Sequence, residues 1–302
     1  MFNRKLKLIQ KAMKEKVVLI TGGNSGIGKA TACELASLGA CVILACRNKD
    51  KAEKAVAQIK DKSGNERVFF LPCDLSSFAS IQQAAEIFHR QFGQLDILIN
   101  NAGIFTTDLQ FTEEGYELQF GVNHLGHFLL THLLLDSLQK APSARIINVS
   151  SVAYMRGKID FDNLKGEKSK GTFHGLKAYA QSKLANVLFT RELSRRFSGI
   201  TANALHPGVV RTGFGSKKTK WSVRLLWLLW QPFMRSPENG ASTSIYLATA
   251  PRLEGVTGQF FDEKGCCRRM ARGAKNEMLA KQLWRYSEEA IGGVGKGGYS
   301  DR

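Results

Sequence analysis

Tyr179 and Lys183 stand four residues apart in Tyr179-Ala180-Gln181-Ser182-Lys183, a spacing that places both on one face of a helix. A phenol with its ordinary pKa of about 10 exchanges protons poorly at neutral pH, but a neighbouring ammonium favours the phenolate and brings the group toward the working range. Tyr179 would then trade a proton with a carbonyl oxygen. Ser151, just past the run Ile146-Ile147-Asn148-Val149, would hold that oxygen by a hydrogen bond, with Ser150 as its competitor. Asn123 would organise a water path behind Lys183. Taken alone, Tyr-x-x-x-Lys is also the pattern of a surface helix pair.

A second constellation lies upstream. Thr21-Gly22-Gly23-Asn24-Ser25-Gly26-Ile27-Gly28 sits between the aliphatic run Val17-Val18-Leu19-Ile20 and a helical pattern that starts near Gly26. Glycines in that setting let backbone N–H groups approach a pyrophosphate at a helix N-terminus. Gly22, Asn24, Ser25, Gly26, Ile27 and Gly28 are the candidate contacts, and a tight strand-to-helix turn is the alternative for this motif by itself. The next run ends Ala45-Cys46-Arg47-Asn48-Lys49, where the acid that would bond a ribose 2'-hydroxyl is missing. Arg47 offers a planar fork to a 2'-phosphate and a stacking face to adenine, so this strand end, with Asn48, favours NADP(H) over NAD(H). A solvated strand-end charge is the competing reading of Arg47.

Positioning these residues requires strands alternating with helices. Runs at Val17–Ile20, Cys41–Ala45, Val68–Leu71, Leu95–Asn100, Arg145–Val149, Thr201–Leu205 and Phe260–Asp262 are separated by helix-length segments. Continuous apolar strands of this kind predict an α/β fold: one doubly wound, Rossmann-type parallel sheet of about seven strands with helices on both faces. The domain is expected over residues 16–290. Residues 1–15 form a basic segment in which Phe2, Leu6, Ile9 and Met13 fall near one helix face, as in a helix lying at a membrane interface. Residues 213–235 carry Lys217, Lys218 and Lys220 before Trp221, Leu225, Leu226, Trp227, Leu228, Leu229 and Trp230, the pattern of a membrane-facing helix, with a substrate-side lid or a subunit contact as alternatives. The Gly-rich tail 291–302 should be mobile.

Composition narrows the partners. Lys and Arg number 43 against 26 Asp and Glu, a formal charge of +17 that favours anionic ligands. The cations are spread without a recognised binding module, so no specific nucleic-acid role is expected. The six cysteines, Cys33, Cys41, Cys46, Cys73, Cys266 and Cys267, show no disulfide or zinc spacing and read as thiols in a reducing compartment. Neither a secretory signal nor a spanning apolar stretch is visible, which predicts an intracellular rather than secreted protein. His124, His127 and His132 tempt a metal reading. Their neighbours Leu125, Phe128, Leu129 and Leu133 make that segment packed core instead, and no metal site is expected.

In this order, Thr21–Gly28, Asn100-Asn101-Ala102-Gly103, Asn123-His124-Leu125-Gly126, Ser151, Tyr-x-x-x-Lys and Pro207-Gly208 resemble the short-chain dehydrogenase/reductase family over about residues 15–265. The runs Gly121–Phe128, Ser182–Asn186 and His206-Pro207-Gly208-Val209-Val210 resemble its retinol dehydrogenase branch, which reduces retinaldehyde and other lipid aldehydes with NADPH. The resemblance implies a catalytic tetrad at Asn123, Ser151, Tyr179 and Lys183, with Lys183 lowering the Tyr179 pKa. It implies cofactor contacts at Asp74 and Leu75, at Asn101, Ala102 and Gly103, at Tyr179 and Lys183, and at Pro207, Gly208, Val209 and Thr212. The interval between Ser151 and Tyr179 carries an insertion, residues 157–171, expected to rim the substrate pocket. A homodimer through the helices Leu125–Leu138 and Tyr179–Arg196 is implied as well. The branch includes endoplasmic-reticulum and mitochondrial members; a membrane-associated protein of the endoplasmic reticulum is the first expectation. The rival readings are a steroid or general carbonyl reductase on the same scaffold, and a noncatalytic NADPH-binding scaffold protein, whose mark would be a broken tetrad.

Overall fold

Seven parallel strands form the sheet in the order β3-β2-β1-β4-β5-β6-β7: β1 Val17–Thr21, β2 Cys41–Cys46, β3 Val68–Pro72, β4 Ile97–Asn100, β5 Ala144–Val149, β6 Ile200–Leu205 and β7 Phe260–Phe261. The computed structural model describes residues 2–169, 174–210 and 235–292. Side chains along each strand divide between the faces with period two. Leu19, Ile43, Leu98 and Ile146 enter one core, whereas Val18, Ile20, Val42, Leu44, Ile97, Ile99 and Ile147 enter the other. Burial on both faces explains why the strands are aliphatic throughout rather than alternating.

The helices are α1 (Phe2–Met13), α2 (Gly26–Ser37), α3 (Lys49–Ser63), α4 (Phe78–Gln91), α5 (Leu118–Phe120), α6 (Gly126–Leu133), α7 (Leu135–Gln139), α8 (Gly175–Arg196), α9 (Pro237–Thr249) and α10 (Glu277–Ala290). Residues of α2, α3 and α9 cover one core; Phe88 of α4, Phe128 of α6 and Phe189 of α8 fill the other. The C-terminal part of α1 docks on the first of these through Ile9 and buried Met13. Among the described residues no helix is long and apolar enough to cross a membrane. Residues 170–173, which include the end of the insertion, residues 211–234, which include Thr212, and the tail from 293 lie outside the described residues.

Two elements depart locally from the expected bounds. The expected helix Leu125–Leu138 is not continuous: Leu125 closes a π-turn, Gly121–Leu125, and the chain breaks at Leu134, whose N–H is shared between Leu130 and Thr131. Strand β4 starts at Ile97 rather than Leu95: the Leu95 N–H bonds the Ser137 carbonyl (2.9 Å), and the Asp96 carboxylate takes Lys16 Nζ (2.8 Å) and the Val17 N–H (3.0 Å). That contact pins the N-terminal ends of β1 and β4 together.

Candidate active site

The strand order reverses between β1 and β4, so the loops leaving their C-terminal ends diverge and open the crevice in which ligands of doubly wound sheets bind. The turn after β1 is shaped for close approach. Gly22 has φ +64°, a conformation that favours glycine, and a Cβ on Gly28 would fall 2.5 Å from both the Gly22 carbonyl oxygen and Asn101 Nδ2. Gly26 opens α2, half-buried Ile27 approaches Gly240, and Ser25 caps the helix by position while its hydroxyl makes no cap bond. Asn24 contributes its N–H, with those of Gly22 and Gly23, to the buried Cys46 thiol beneath the turn; burial pushes that thiol up to about 11.

Beside the turn, Arg47 is 70% exposed and pairs with Asp74 at 3.5 Å. Asp74 Oδ1 is held by the Ser76 hydroxyl (2.7 Å) and amide (2.9 Å), and Leu75 packs against Gly126. Asn48 spends its side-chain oxygen capping α3 at the Lys51 N–H, 2.9 Å away. After β4, Asn101 commits its amide to the Thr21 carbonyl (2.8 Å), and the backbone N–H groups of Asn101 and Ala102 both reach Thr21 Oγ1 at 2.9 Å. What Asn101, Ala102 and Gly103 offer a cofactor is therefore chiefly main chain.

The four tetrad positions converge on one end of this crevice. Ser151 hydrogen-bonds the Tyr179 phenol, whereas buried Ser150 donates to the Lys183 carbonyl at 2.8 Å, so the two adjacent serines have different tasks. Phe105 meets the Tyr179 ring edge to face, with centroids 5.8 Å apart. Lys183 is buried, donates to the Val149 carbonyl at 3.0 Å and lies 5.7 Å from the Tyr179 ring centre. Asn123, in the π-turn, uses its side chain on the Ile104 N–H (2.8 Å), the Ile104 carbonyl (3.1 Å) and Ser182 Oγ (3.0 Å). Its amide is thus fully engaged, and its backbone carbonyl accepts from His127 Nδ1 at 3.0 Å.

The electrostatics correct one expectation. Burial raises the Tyr179 phenol to about 12, opposed by the Ser151 hydrogen bond, instead of the ammonium lowering it. Lys183 itself falls to about 8, since its ammonium is buried against a neutral carbonyl. On the far side, Gly208 (φ +78°) donates to His206 Nδ1 at 3.3 Å, and Arg235 takes up the Pro207 carbonyl (3.4 Å) while its N–H bonds the Val209 carbonyl (2.9 Å). Exposed Val152 and Met155 follow Ser151, exposed Leu176 lies one turn before Tyr179, and exposed Val209 follows Gly208. The insertion packs beside α5 and α8, with the carbonyl of buried Leu164 accepting the Glu117 N–H and the Asp160 N–H reaching Gln181 Oε1 at 2.9 Å. The two helices through which a homodimer was expected turn an aromatic face toward α10 of the same chain: Trp284 lies 5.0 Å from Phe128 and 5.9 Å from Phe189. Among the described residues no group of three or more His, Cys, Asp or Glu could hold a metal. Ser182, Phe105 and Ile104 were not singled out by sequence; the proximity of Ser182 to the Tyr-x-x-x-Lys pair was the available signal.

Comparison with known proteins agrees with this geometry. The family model for short chain dehydrogenases matches residues 16–223. Retinol dehydrogenase 12 of Mus musculus is 45% identical over 281 residues, covering 92% of this chain and 86% of that protein. Retinol dehydrogenase 13 of Homo sapiens is 46% identical over 284 residues, covering 92% and 85%. The crystal structure of an uncharacterised protein from Mycobacterium Paratuberculosis matches with a TM-score of 0.74 at 33% identity, over 92% of this chain and 94% of that one. The chain belongs to the short chain dehydrogenase family, in the branch of the retinol dehydrogenases, and is an oxidoreductase.

Proposed function

We propose that this protein interconverts a lipophilic alcohol and its aldehyde with NADP(H), with retinol and retinaldehyde as the leading pair. The observation that carries the reading is the setting of Tyr179: a phenol bonded to Ser151, above buried Lys183, in a stretch where Val152, Met155, Leu176 and Val209 expose large apolar side chains beside the chemistry. Single exposed apolar residues are ordinary, but Val152, Met155 and Leu176 lie within four residues of Ser151 or Tyr179 in the chain and Val209 follows Gly208, and together they favour an apolar substrate. The names of the relatives point the same way, since they are retinol dehydrogenases.

The chain's residues fit a nicotinamide cofactor. A Cβ on Gly28 would fill the cradle between the Gly22 carbonyl and Asn101, and the uncapped Ser25 hydroxyl at the start of α2 is free to meet a phosphate. Arg47 would face a 2'-phosphate, Asp74 and Leu75 the adenine side, and Pro207 to Val209 the nicotinamide side, with Thr212 assigned by sequence alone. When bound, the cofactor supplies or accepts the hydride. Ser151 orients the carbonyl oxygen by hydrogen bond. Tyr179 gives that oxygen its proton, and burial keeps the phenol protonated at neutral pH for this purpose. Lys183, still largely charged below about 8, would stabilise the phenolate left behind and would hold the cofactor ribose. Asn123 would support proton resupply through the second lone pair of its main-chain carbonyl, the first being taken by His127 Nδ1. Peripheral contact with a membrane would deliver such a substrate.

The test is NADPH consumption with all-trans-retinaldehyde presented in anionic liposomes, run beside NADH, a steroid ketone and Tyr179→Phe. Turnover that prefers NADPH and retinaldehyde and falls about 100-fold or more in the variant supports the reading. Wild-type rates in Tyr179→Phe, or turnover confined to the steroid, overturn it.

A further inference from the structure

The cofactor turn and the Tyr179 helix belong to distant parts of the chain, and one buried histidine stands between them. His127 is 1% exposed. Its Nδ1 lies 3.0 Å from the Asn123 carbonyl oxygen and its Nε2 lies 2.8 Å from Thr21 Oγ1. A carbonyl can only accept, so Nδ1 carries the proton, and Nε2 of the neutral ring is left as an acceptor. Burial, with the Lys183 charge nearby, holds the ring's pKa down at about 4, which keeps it neutral over the working range. The Thr21 hydroxyl therefore donates to Nε2 at 2.8 Å, its nearer acceptor, the Ile99 carbonyl lying farther off at 3.4 Å. Its two lone pairs take the amides of Asn101 and Ala102, each at 2.9 Å, and every hydrogen-bonding valence of that hydroxyl is used.

The series continues on the other side of Asn123. Asn123 Nδ2 donates to Ser182 Oγ at 3.0 Å, and the Ser182 hydroxyl donates to the Tyr179 backbone carbonyl at 2.8 Å. Thr21, Asn123 and Ser182 are each fully buried at 0% exposure. Donation runs one way throughout, from the end of β1 to the backbone of the reacting tyrosine. Bonds aligned in this manner reinforce one another, and in a dry interior a missing link leaves an unpaired polar group.

We propose that His127 is a positioning residue that sets the register between the cofactor turn and the Tyr179 helix through Thr21, Asn123 and Ser182. It touches no reacting atom, and the proposal rests on the reading of Tyr179 as the proton donor. The geometry assigns it a task that core packing would not require: a leucine would fill the space without joining the two elements. A loss of register of about 1 Å between donor and cofactor is enough to cost roughly 100-fold in rate.

Three variants test this. His127→Leu removes both links at similar bulk, His127→Gln keeps one donor and one acceptor, and Ser182→Ala breaks the series beyond Asn123. In variants shown to be folded by circular dichroism, His127→Leu and Ser182→Ala should each lower kcat by about 10- to 100-fold with the substrate KM nearly unchanged. His127→Gln should recover most of the loss, and the double variant His127→Leu/Ser182→Ala should be little worse than either single one. Wild-type kcat in a folded His127→Leu protein, or fully additive losses, overturns the proposal. If His127→Leu does not fold, Ser182→Ala and His127→Gln decide alone: loss in the first with near-normal kcat in the second supports it, and the reverse overturns it. Should the wild type turn over no carbonyl at all, the functional reading fails separately. NADPH affinity by fluorescence titration then decides: a fivefold or greater weakening in a folded His127 variant supports the link, and unchanged affinity overturns it.

Discussion

Replacing Arg47 by aspartate should invert the preference between NADPH and NADH. The side chain is 70% exposed, and its contact with Asp74, 3.5 Å long, is worth only about 0–1 kcal/mol in that setting. Asp74 does not depend on it, because Ser76 holds its other oxygen through hydroxyl and amide. A guanidinium bonded to a 2'-phosphate contributes about 1.5–3 kcal/mol. Setting the surrendered Asp74 contact against that leaves about 1–2 kcal/mol, a 5- to 30-fold loss of NADPH affinity for Arg47→Ser. Arg47→Asp adds repulsion toward the phosphate and supplies an acceptor for a ribose 2'-hydroxyl, so NADH affinity should rise several-fold while NADPH affinity falls further. Fluorescence titrations and kcat/KM with both cofactors check this at two ionic strengths, and the NADPH effect should shrink at the higher one. Equal changes for NADH and NADPH would refute the reasoning, since only the 2'-phosphate distinguishes them.

Gly28→Ala should lower Tm and abolish the stabilisation that NADPH gives, because the new Cβ lands 2.5 Å from the Gly22 oxygen; about 1–3 kcal/mol is expected, read by thermal unfolding with and without cofactor. The rate of carbonyl reduction should be flat below pH about 8 and fall above it as Lys183 loses its proton, whereas Tyr179, raised to about 12, remains the acid throughout; a stopped-flow pH profile that rises above 8 would contradict this. Asp96→Asn weakens the tie between the starts of β1 and β4 and should cost about 1–2 kcal/mol in urea unfolding with kcat unchanged, since the site lies at the opposite edge of the sheet. Trp284→Ala should uncover Phe128 and Phe189, cost about 3–5 kcal/mol and promote self-association in sedimentation, in contrast to a wild type whose aromatic face α10 already covers.

Which of these features a reader of the sequence meets depends on how far apart the interacting residues lie. The strands are legible one by one, since two-sided burial writes Val17–Thr21 and Cys41–Cys46 as aliphatic runs, and the Gly-rich turn and Tyr-x-x-x-Lys are local patterns. Ser151 and Ser150 differ only in which long-range partner each finds, the Tyr179 phenol for one and the Lys183 carbonyl for the other. The direction of the Tyr179 shift is likewise a contest between burial and the Ser151 hydrogen bond, and spacing on a helix records neither. The π-turn at Gly121–Leu125 has the same apolar periodicity as an ordinary helix, and only the Gly126 N–H reaching back to Gly121 reveals it. His127 is the extreme case. Beside Phe128, Leu129 and Leu130 it reads as filler in a packed face, yet its partner Thr21 is 106 residues away, so nothing local distinguishes a histidine that fills a core from one that joins two halves of an active site. What separates the two is satisfaction of both ring nitrogens by groups on opposite sides of the crevice, which requires the sheet to have brought β1 and the Asn123 turn together first.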